Sequence, residues 1–166
     1  MVLNADLRVR RPQEHEELIG RLTTKEGGPF PNYWQVLVFA AALGWARGRR
    51  EPFDKHESPI RYGLFNNSAI VSATIDSMAV LHYSDDAGID AGIMAEERLP
   101  ERIRVFEEYA NGGLLIIQGE LNSGVAVRPT DVILNLCRRG MTQAESRVQD
   151  ILGPRLSDFG TPDFES

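Results

Sequence analysis

Residues 34–47, WQVLVFAAALGWAR, carry apolar side chains at almost every position and no charge before Arg47. The run does not alternate as a half-buried strand would, and it is far shorter than the roughly 20 apolar residues a membrane-spanning helix needs. A helix that is apolar all round has no face suited to water, so it predicts a central helix enclosed by other elements. Val36, Leu37, Phe39, Ala40 and Leu43 are the residues it is expected to bury. Its basic residues fall at the end, where they complement the negative C-terminal dipole.

The remaining pattern supplies helices to surround it. Pro12 is placed to open a helix with Leu18, Ile19 and Leu22 on its apolar face, ended by Gly27, Gly28 and Pro29. Residues 48–58 read as a loop, and 60–65 as a strand or an extended connector. Val71, Ile75, Met78 and Leu81 recur at helical spacing over residues 68–82. Residues 84–92 form a loop rich in Gly and Asp. Leu99, Ile103, Phe106 and Ala110 then mark an amphipathic helix. Gly112 and Gly113 would ordinarily end it, at about 1 kcal/mol each relative to Ala. Because Leu114, Leu115, Ile116 and Ile117 follow at once, continuation to Leu121 is favoured, with a neighbouring helix passing close to the pair. Val132, Ile133 and Leu136 predict a short helix ending at Gly140, and Thr142 to Glu145 read as a capping box opening a last helix lined by Val148, Ile151 and Leu152.

The expected fold is therefore mainly α: a single compact domain of five or six helices around a buried central helix, with at most a minor β element. Residues 1–11 are expected to be an irregular arm, 12–153 the helical domain, and 154–166 a flexible acidic tail. With 166 residues the chain can bury a core without staples, and its single cysteine, Cys137, excludes an internal disulfide. Cys137 itself is expected to be a small core hydrophobe. Asp6, Arg8, Arg10 and Arg11 near the start have no apolar segment behind them, so no secretory signal is read there. A cytoplasmic protein is the simplest expectation.

A formal net charge of −6 argues against a broad nucleic-acid-binding surface. The charge is uneven, however. Residues 84–120 hold nine acidic and three basic side chains, whereas Arg47, Arg49, Arg50, Lys55 and Arg61 crowd one short stretch. Arginine suits phosphate because its planar fork donates two parallel hydrogen bonds. Those five residues are the candidate DNA or phosphate contacts. Against them, Glu51, Asp54 and Glu57 leave the stretch with a formal charge of only +2, and charge runs are ordinarily solvated faces. Phe30, Tyr33 and Trp34 could stack on a base beside the arginines, but anchoring the helix entry is the plainer role.

No catalytic residue, cofactor site or metal site is assigned. His82 with Asp85 and Asp86 has the residue types of a metal site but matches no spacing signature. There is no nucleophile elbow, and Gly44 and Gly48 lack the Lys-Ser or Lys-Thr that completes a phosphate-binding loop.

Three blocks carry a family resemblance. The first holds Pro29-Phe30-Pro31, Tyr33, Val36 to Ala41, Leu43-Gly44 and Gly48-Arg49-Arg50-Glu51-Pro52; the second is Pro59-Ile60-Arg61; the third runs from Arg104 to Leu114 as RVFEEYANGGL. Together they resemble the DNA phosphorothioation-associated proteins, small polypeptides encoded beside the Dnd sulfur-modification and restriction genes of bacteria. The resemblance implies a setting in DNA modification and antiviral defence, with Dnd modification or restriction proteins as partners. It lends no catalytic residue. The leading expectation is a non-enzymatic accessory protein that binds a partner protein, with DNA contacted through the arginine cluster and a homo-oligomer left open. The alternatives are a stand-alone DNA-binding regulator, a small metal-dependent nuclease or nickase using residues 82–86, and an acidic mimic of DNA formed by residues 84–120.

Overall fold

The computed structural model describes residues 7–84, 88–124 and 128–156, with side chains described as far as Val148. The stripe of Leu99, Ile103, Phe106 and Ala110 lies on the helix that organises the rest. That helix is α5 (Leu99–Ser123), and Gly112 and Gly113 sit inside it rather than at its end. In chain order the other helices are α1 (Glu16–Arg21), α2 (Tyr33–Ala46), α3 (Gly63–Asn66), α4 (Ala69–His82) and α6 (Pro129–Leu156). The chain folds as a single, mainly helical domain with one small sheet. In that sheet β1 (Arg8–Pro12) pairs antiparallel with β2 (His56–Arg61).

The buried centre is α5, not the apolar helix around Val36. Residues 102–103 and 105–114 of α5 are buried without interruption. Helix α2 packs along α5 with Val36, Leu37, Ala40, Ala41 and Gly44. Its far side is only partly covered: Phe39 and Leu43 are half-buried, and Ala42 is exposed. An apolar residue on that side need not be enclosed if it is as small as Ala42, or if it leans on a neighbouring ring as Phe39 leans on Phe30, centroids 5.4 Å apart. Asn32 and Gln35 cap the helix start, the Gln35 side chain accepting from the Asn32 amide at 3.0 Å.

The α2–α5 crossing explains the paired glycines. A Cβ on Gly113 would overlap the Ala40 carbonyl, and one on Gly44 would overlap the Tyr109 carbonyl. A Cβ on Gly112 would strike the Arg49 carbonyl in the segment that follows α2. Three missing side chains let two backbones and a loop touch. Around the crossing, Phe65 meets Phe106 edge-on at 5.6 Å and Trp34 meets Phe65 at 6.1 Å, while Trp45 packs on Tyr109 at 5.1 Å. Val71, Ile75 and Met78 of α4 close the opposite side of the core, whereas Leu81 faces outward.

Several expectations need correction. Residues 8–12 are a strand, not part of an irregular arm; Val9 faces Ile60 and is fully buried. The register slips between Val9 and Arg11, because β2 fits three steps against two, and Pro59 falls within that bulge, where no ladder donor is required. The helix expected from Pro12 is shorter, a 3-10 turn preceding α1, though Leu18, Ile19 and Leu22 are core residues as expected. Gly140 does not end a helix. Helix α6 runs through it, and Thr142 donates to the Arg138 carbonyl at 3.1 Å, a bond within one helix rather than a cap. Cys137 is exposed on that helix instead of buried. Of the expected tail, 154–156 belong to α6, and the remainder lies outside the described residues.

The close crossing yields a paired prediction. Gly113→Ala should destabilise the protein by about 3 kcal/mol or more, since backbone cannot yield to the new methyl. Gly119→Ala, on the same helix but with open space at its Cβ position, should stabilise by about 0.5–1 kcal/mol. Denaturant melts of both variants check the contrast.

Candidate functional site

The loop after α2 carries the arginine cluster, and it lies directly against α5. Arg49 donates its amide to the Gly44 carbonyl at 2.8 Å, which turns the chain back after the helix. The Glu51 amide donates to the Glu108 carbonyl at 3.0 Å, and Asn111 donates its side-chain amide to the Glu51 carbonyl at 3.1 Å. Backbone and side chains of α5 thus hold Arg49, Arg50 and Glu51 in place. The block GRREP and the block RVFEEYANGGL therefore pack on one another.

Two carboxylates on α5 anchor the surrounding cations. Glu108 is 2% exposed and ion-paired with Arg50; Arg104, one turn earlier, donates to its other oxygen at 3.0 Å. Arg50 also donates to His82 Nε2 at 2.7 Å. Burial first, and then the charge of Arg50, hold the His82 imidazole below its ordinary value. Glu107 is 3% exposed and takes Arg10 from β1. The Arg10 amide donates to one Glu107 oxygen at 2.6 Å; Nε and Nη2 donate to the other at 2.8 and 2.7 Å. Desolvation still pushes the Glu107 carboxyl above its usual value, against the pull of Arg10. The Arg10 guanidinium also lies over the Phe53 ring, 5.1 Å from its centroid.

The structure does not gather the five candidate residues into one patch. Arg50 is turned inward as described. Arg49 is exposed and leans toward Glu51 at 3.4 Å. Arg47 is exposed at the C-cap of α2. Lys55 and Arg61 sit just before and at the end of β2, roughly 20 Å apart along an extended strand. A groove by Lys55 is lined also by Glu14 and Asp54, which makes it a poor cradle for phosphate. Arg61 instead stands directly opposite Arg8, both exposed. Like charges opposed across a strand pair repel, so this is the position where an anion would relieve a local strain.

The other candidates also fall into place. Phe30 and Trp34 are partly buried anchors of the α2 entry, and the Arg11 guanidinium covers Tyr33 at 4.7 Å from the ring centroid. His82 faces a guanidinium, an environment hostile to a metal cation, while Asp85 and Asp86 lie outside the described residues. Among the described residues no group of His, Cys, Asp or Glu is arranged to hold a metal. The acidic stretch is not one face: Glu107 and Glu108 are buried, Asp90 and Glu101 flank Arg98 at 2.9 and 2.8 Å, and Glu120 pairs with Arg139 at 2.9 Å. No helix among the described residues is long and apolar enough to cross a membrane.

Sequence reasoning missed Glu107, Glu108, Asn111, Arg10 and Arg8. The available signal was adjacent glutamates on the apolar side of a helix, immediately ahead of Gly112 and Gly113. Acids in that position need internal cations. Arg102 offers the same logic elsewhere on α5. It donates to the Ile93 and Ala95 carbonyls at 2.7 and 2.9 Å and lies 2.9 Å from Asp76, at an angle poor for a hydrogen bond.

The chain belongs to the family of DNA sulphur modification system-associated protein 4, whose model matches residues 8–153. No curated protein and no solved structure matches the chain.

Two outcomes follow from these pairs. Arg50→Ala leaves Glu108 with only the peripheral Arg104, so it should lower stability by about 3 kcal/mol, as when one partner of a buried pair is removed; a thermal or urea melt reads this. The second concerns pH. Burial holds both His15 and His82 below the ordinary imidazole value of 6.5. The folded chain then binds fewer protons than the unfolded one, so their share of stability is present above pH 6.5 and is lost as pH falls through their lower folded values. Glu107 acts in the opposite sense: its share is fullest below its ordinary 4.5 and is lost as pH rises through its raised folded value. Melting temperatures of wild type and His15→Gln, taken from pH 7.5 downward, should show a smaller acid loss in the variant.

Proposed function

We propose that this family member is a non-enzymatic accessory protein of a DNA sulphur modification system, acting by binding one of the Dnd modification or restriction proteins. The observation that carries the reading is the fate of the arginine cluster. Its central member, Arg50, is part-buried and committed to the buried Glu108, which Arg104 also engages, and to His82, which leaves these groups unavailable to polarise or attack a substrate. The family's association with DNA sulphur modification supplies the setting. DNA contact is local in this reading. It uses the outward-facing cations, Arg61 with Arg8 above all, and Arg47 and Lys55 separately; Arg49 and Arg50 contribute little.

A stand-alone DNA-binding regulator is the second reading, favoured by the Arg8 and Arg61 opposition alone. The two separate by experiment. Tagged protein expressed with the neighbouring modification and restriction genes should retain one of their products through purification; recovery with none of them would overturn the accessory reading. In a salt titration with duplex DNA, Arg8→Ala with Arg61→Ala should lower the slope of log affinity against log salt by about 0.9 for each phosphate that is no longer neutralised. Arg49→Ala should leave that slope unchanged. Absence of DNA binding by wild type near about 50 mM salt, where such interactions are strong, would remove DNA from the proposal.

A further inference from the structure

Helix α6 touches the domain near its start and then stands away from it. Val132, Ile133 and Leu136 are buried, and Arg139 reaches Glu120 on α5 at 2.9 Å, so the inward side is defined. On the opposite side, Leu134, Met141 and Val148 are 48, 64 and 52% exposed. They are spaced at intervals of seven. Cys137 and Ala144, also exposed, fall between them at the intermediate position, so the stripe reads Leu134, Cys137, Met141, Ala144, Val148 in alternating steps of three and four. A repeat of seven keeps one seam facing a partner helix and is the pattern of a coiled coil.

We propose that this seam binds the same seam of a second copy, antiparallel, to form a homodimer. Side-chain sizes select the direction. In the antiparallel register Met141 faces Ala144 of the second copy and Val148 faces Cys137, so these two layers each join a larger side chain to a smaller one. A parallel pair would oppose Met141 to Met141 and Ala144 to Ala144, with layers alternately too full and too empty. Charge agrees. The antiparallel register sets Arg138 beside Glu145 of the second copy, and twofold symmetry repeats the pair. Neither residue makes an ion pair among the described residues. Gly140 comes opposite Arg147, and its missing side chain leaves room for that longer one; a Cβ on Gly140 would itself meet nothing. From Leu134 to Val148 the seam spans about 21 Å. An interface that short lies at the small end of specific contacts.

Sedimentation equilibrium of the full chain, run up to about 200 µM to cover a contact of that size, should show a monomer–dimer equilibrium. Met141→Glu with Val148→Glu should give monomer with unchanged circular dichroism, since both side chains are exposed in the single chain. Arg138→Glu alone, or Glu145→Arg alone, should raise Kd at least tenfold, and the two together should restore it. Mild oxidation should link Val148→Cys copies covalently, because the new thiol would face Cys137, and should leave wild type unlinked. A wild-type chain that stays monomeric throughout would overturn the proposal. So would a paired charge exchange that fails to restore dimerisation, or wild type that links through Cys137 as readily as the Val148→Cys variant links, as a parallel seam would.

Discussion

Contact between the backbones of α2 and α5 is the constraint on which the rest of the structure depends. Gly44, Gly112 and Gly113 bring the two helices and the following loop closer than any side chain would allow. That proximity puts the Arg49 carbonyl on Gly112 and the Glu51 amide on the Glu108 carbonyl. It also delivers Arg50 to a carboxylate that would otherwise be a buried, unpaired charge. Burial of Glu108 is tolerable only because the crossing supplies its cation. The packing geometry and the ion pair are therefore one device, and the loop between α2 and β2 is part of the framework.

The same helix joins the sheet to the bundle. Glu107 takes both the backbone amide and the guanidinium of Arg10, so β1 is fixed to α5 by three hydrogen bonds as well as by Val9 in the core. Adjacent residues on one helix project about 100° apart, so Glu107 and Glu108 collect cations from two different directions. Arg10 comes from the first strand, Arg50 from the loop before the second. A two-stranded sheet alone would be marginal in water; here β1 is held through Glu107, and the loop leading to β2 through Glu108.

How much of this was legible depended on whether the deciding physics was local. Leu99, Ile103, Phe106 and Ala110 announced α5 because helical spacing is a local property, and the doublet Gly112-Gly113 was readable as a close approach. The apolar run from Val36 to Leu43 overstated burial, because composition cannot say which side of a helix a neighbour covers. Arg8 to Arg11 looked irregular since a strand is defined by its partner, which lies at residues 56–61. Gly140 was read as a stop because glycine is penalised in helices, yet a penalty near 1 kcal/mol is small beside the propagation of a long helix. The arginine cluster is the most instructive case. Arg47 to Arg61 suggested an outward basic patch, and the acid that claims Arg50 lies 58 positions away. Charge proximity along a chain says little about which charges meet in space.

Internal pairing also limits what the surface can do. Arg10 with Glu107, and Arg102 with Asp76, remove equal numbers of positive and negative groups, so they leave the imbalance of −6 to the exterior. Glu108 is offset in the same way by the part-buried Arg50, while Arg104 bridges to it from a largely exposed position. At physiological salt, charges more than about 8 Å apart are largely screened, so isolated cations such as Arg61 and Arg8 can meet a phosphate without feeling the whole molecule. They cannot supply the several simultaneous phosphate interactions from which non-specific DNA affinity is built. Under the proposed function, then, the position of this protein on DNA must be set by the protein it binds, and its own basic residues adjust a contact that another surface has already made.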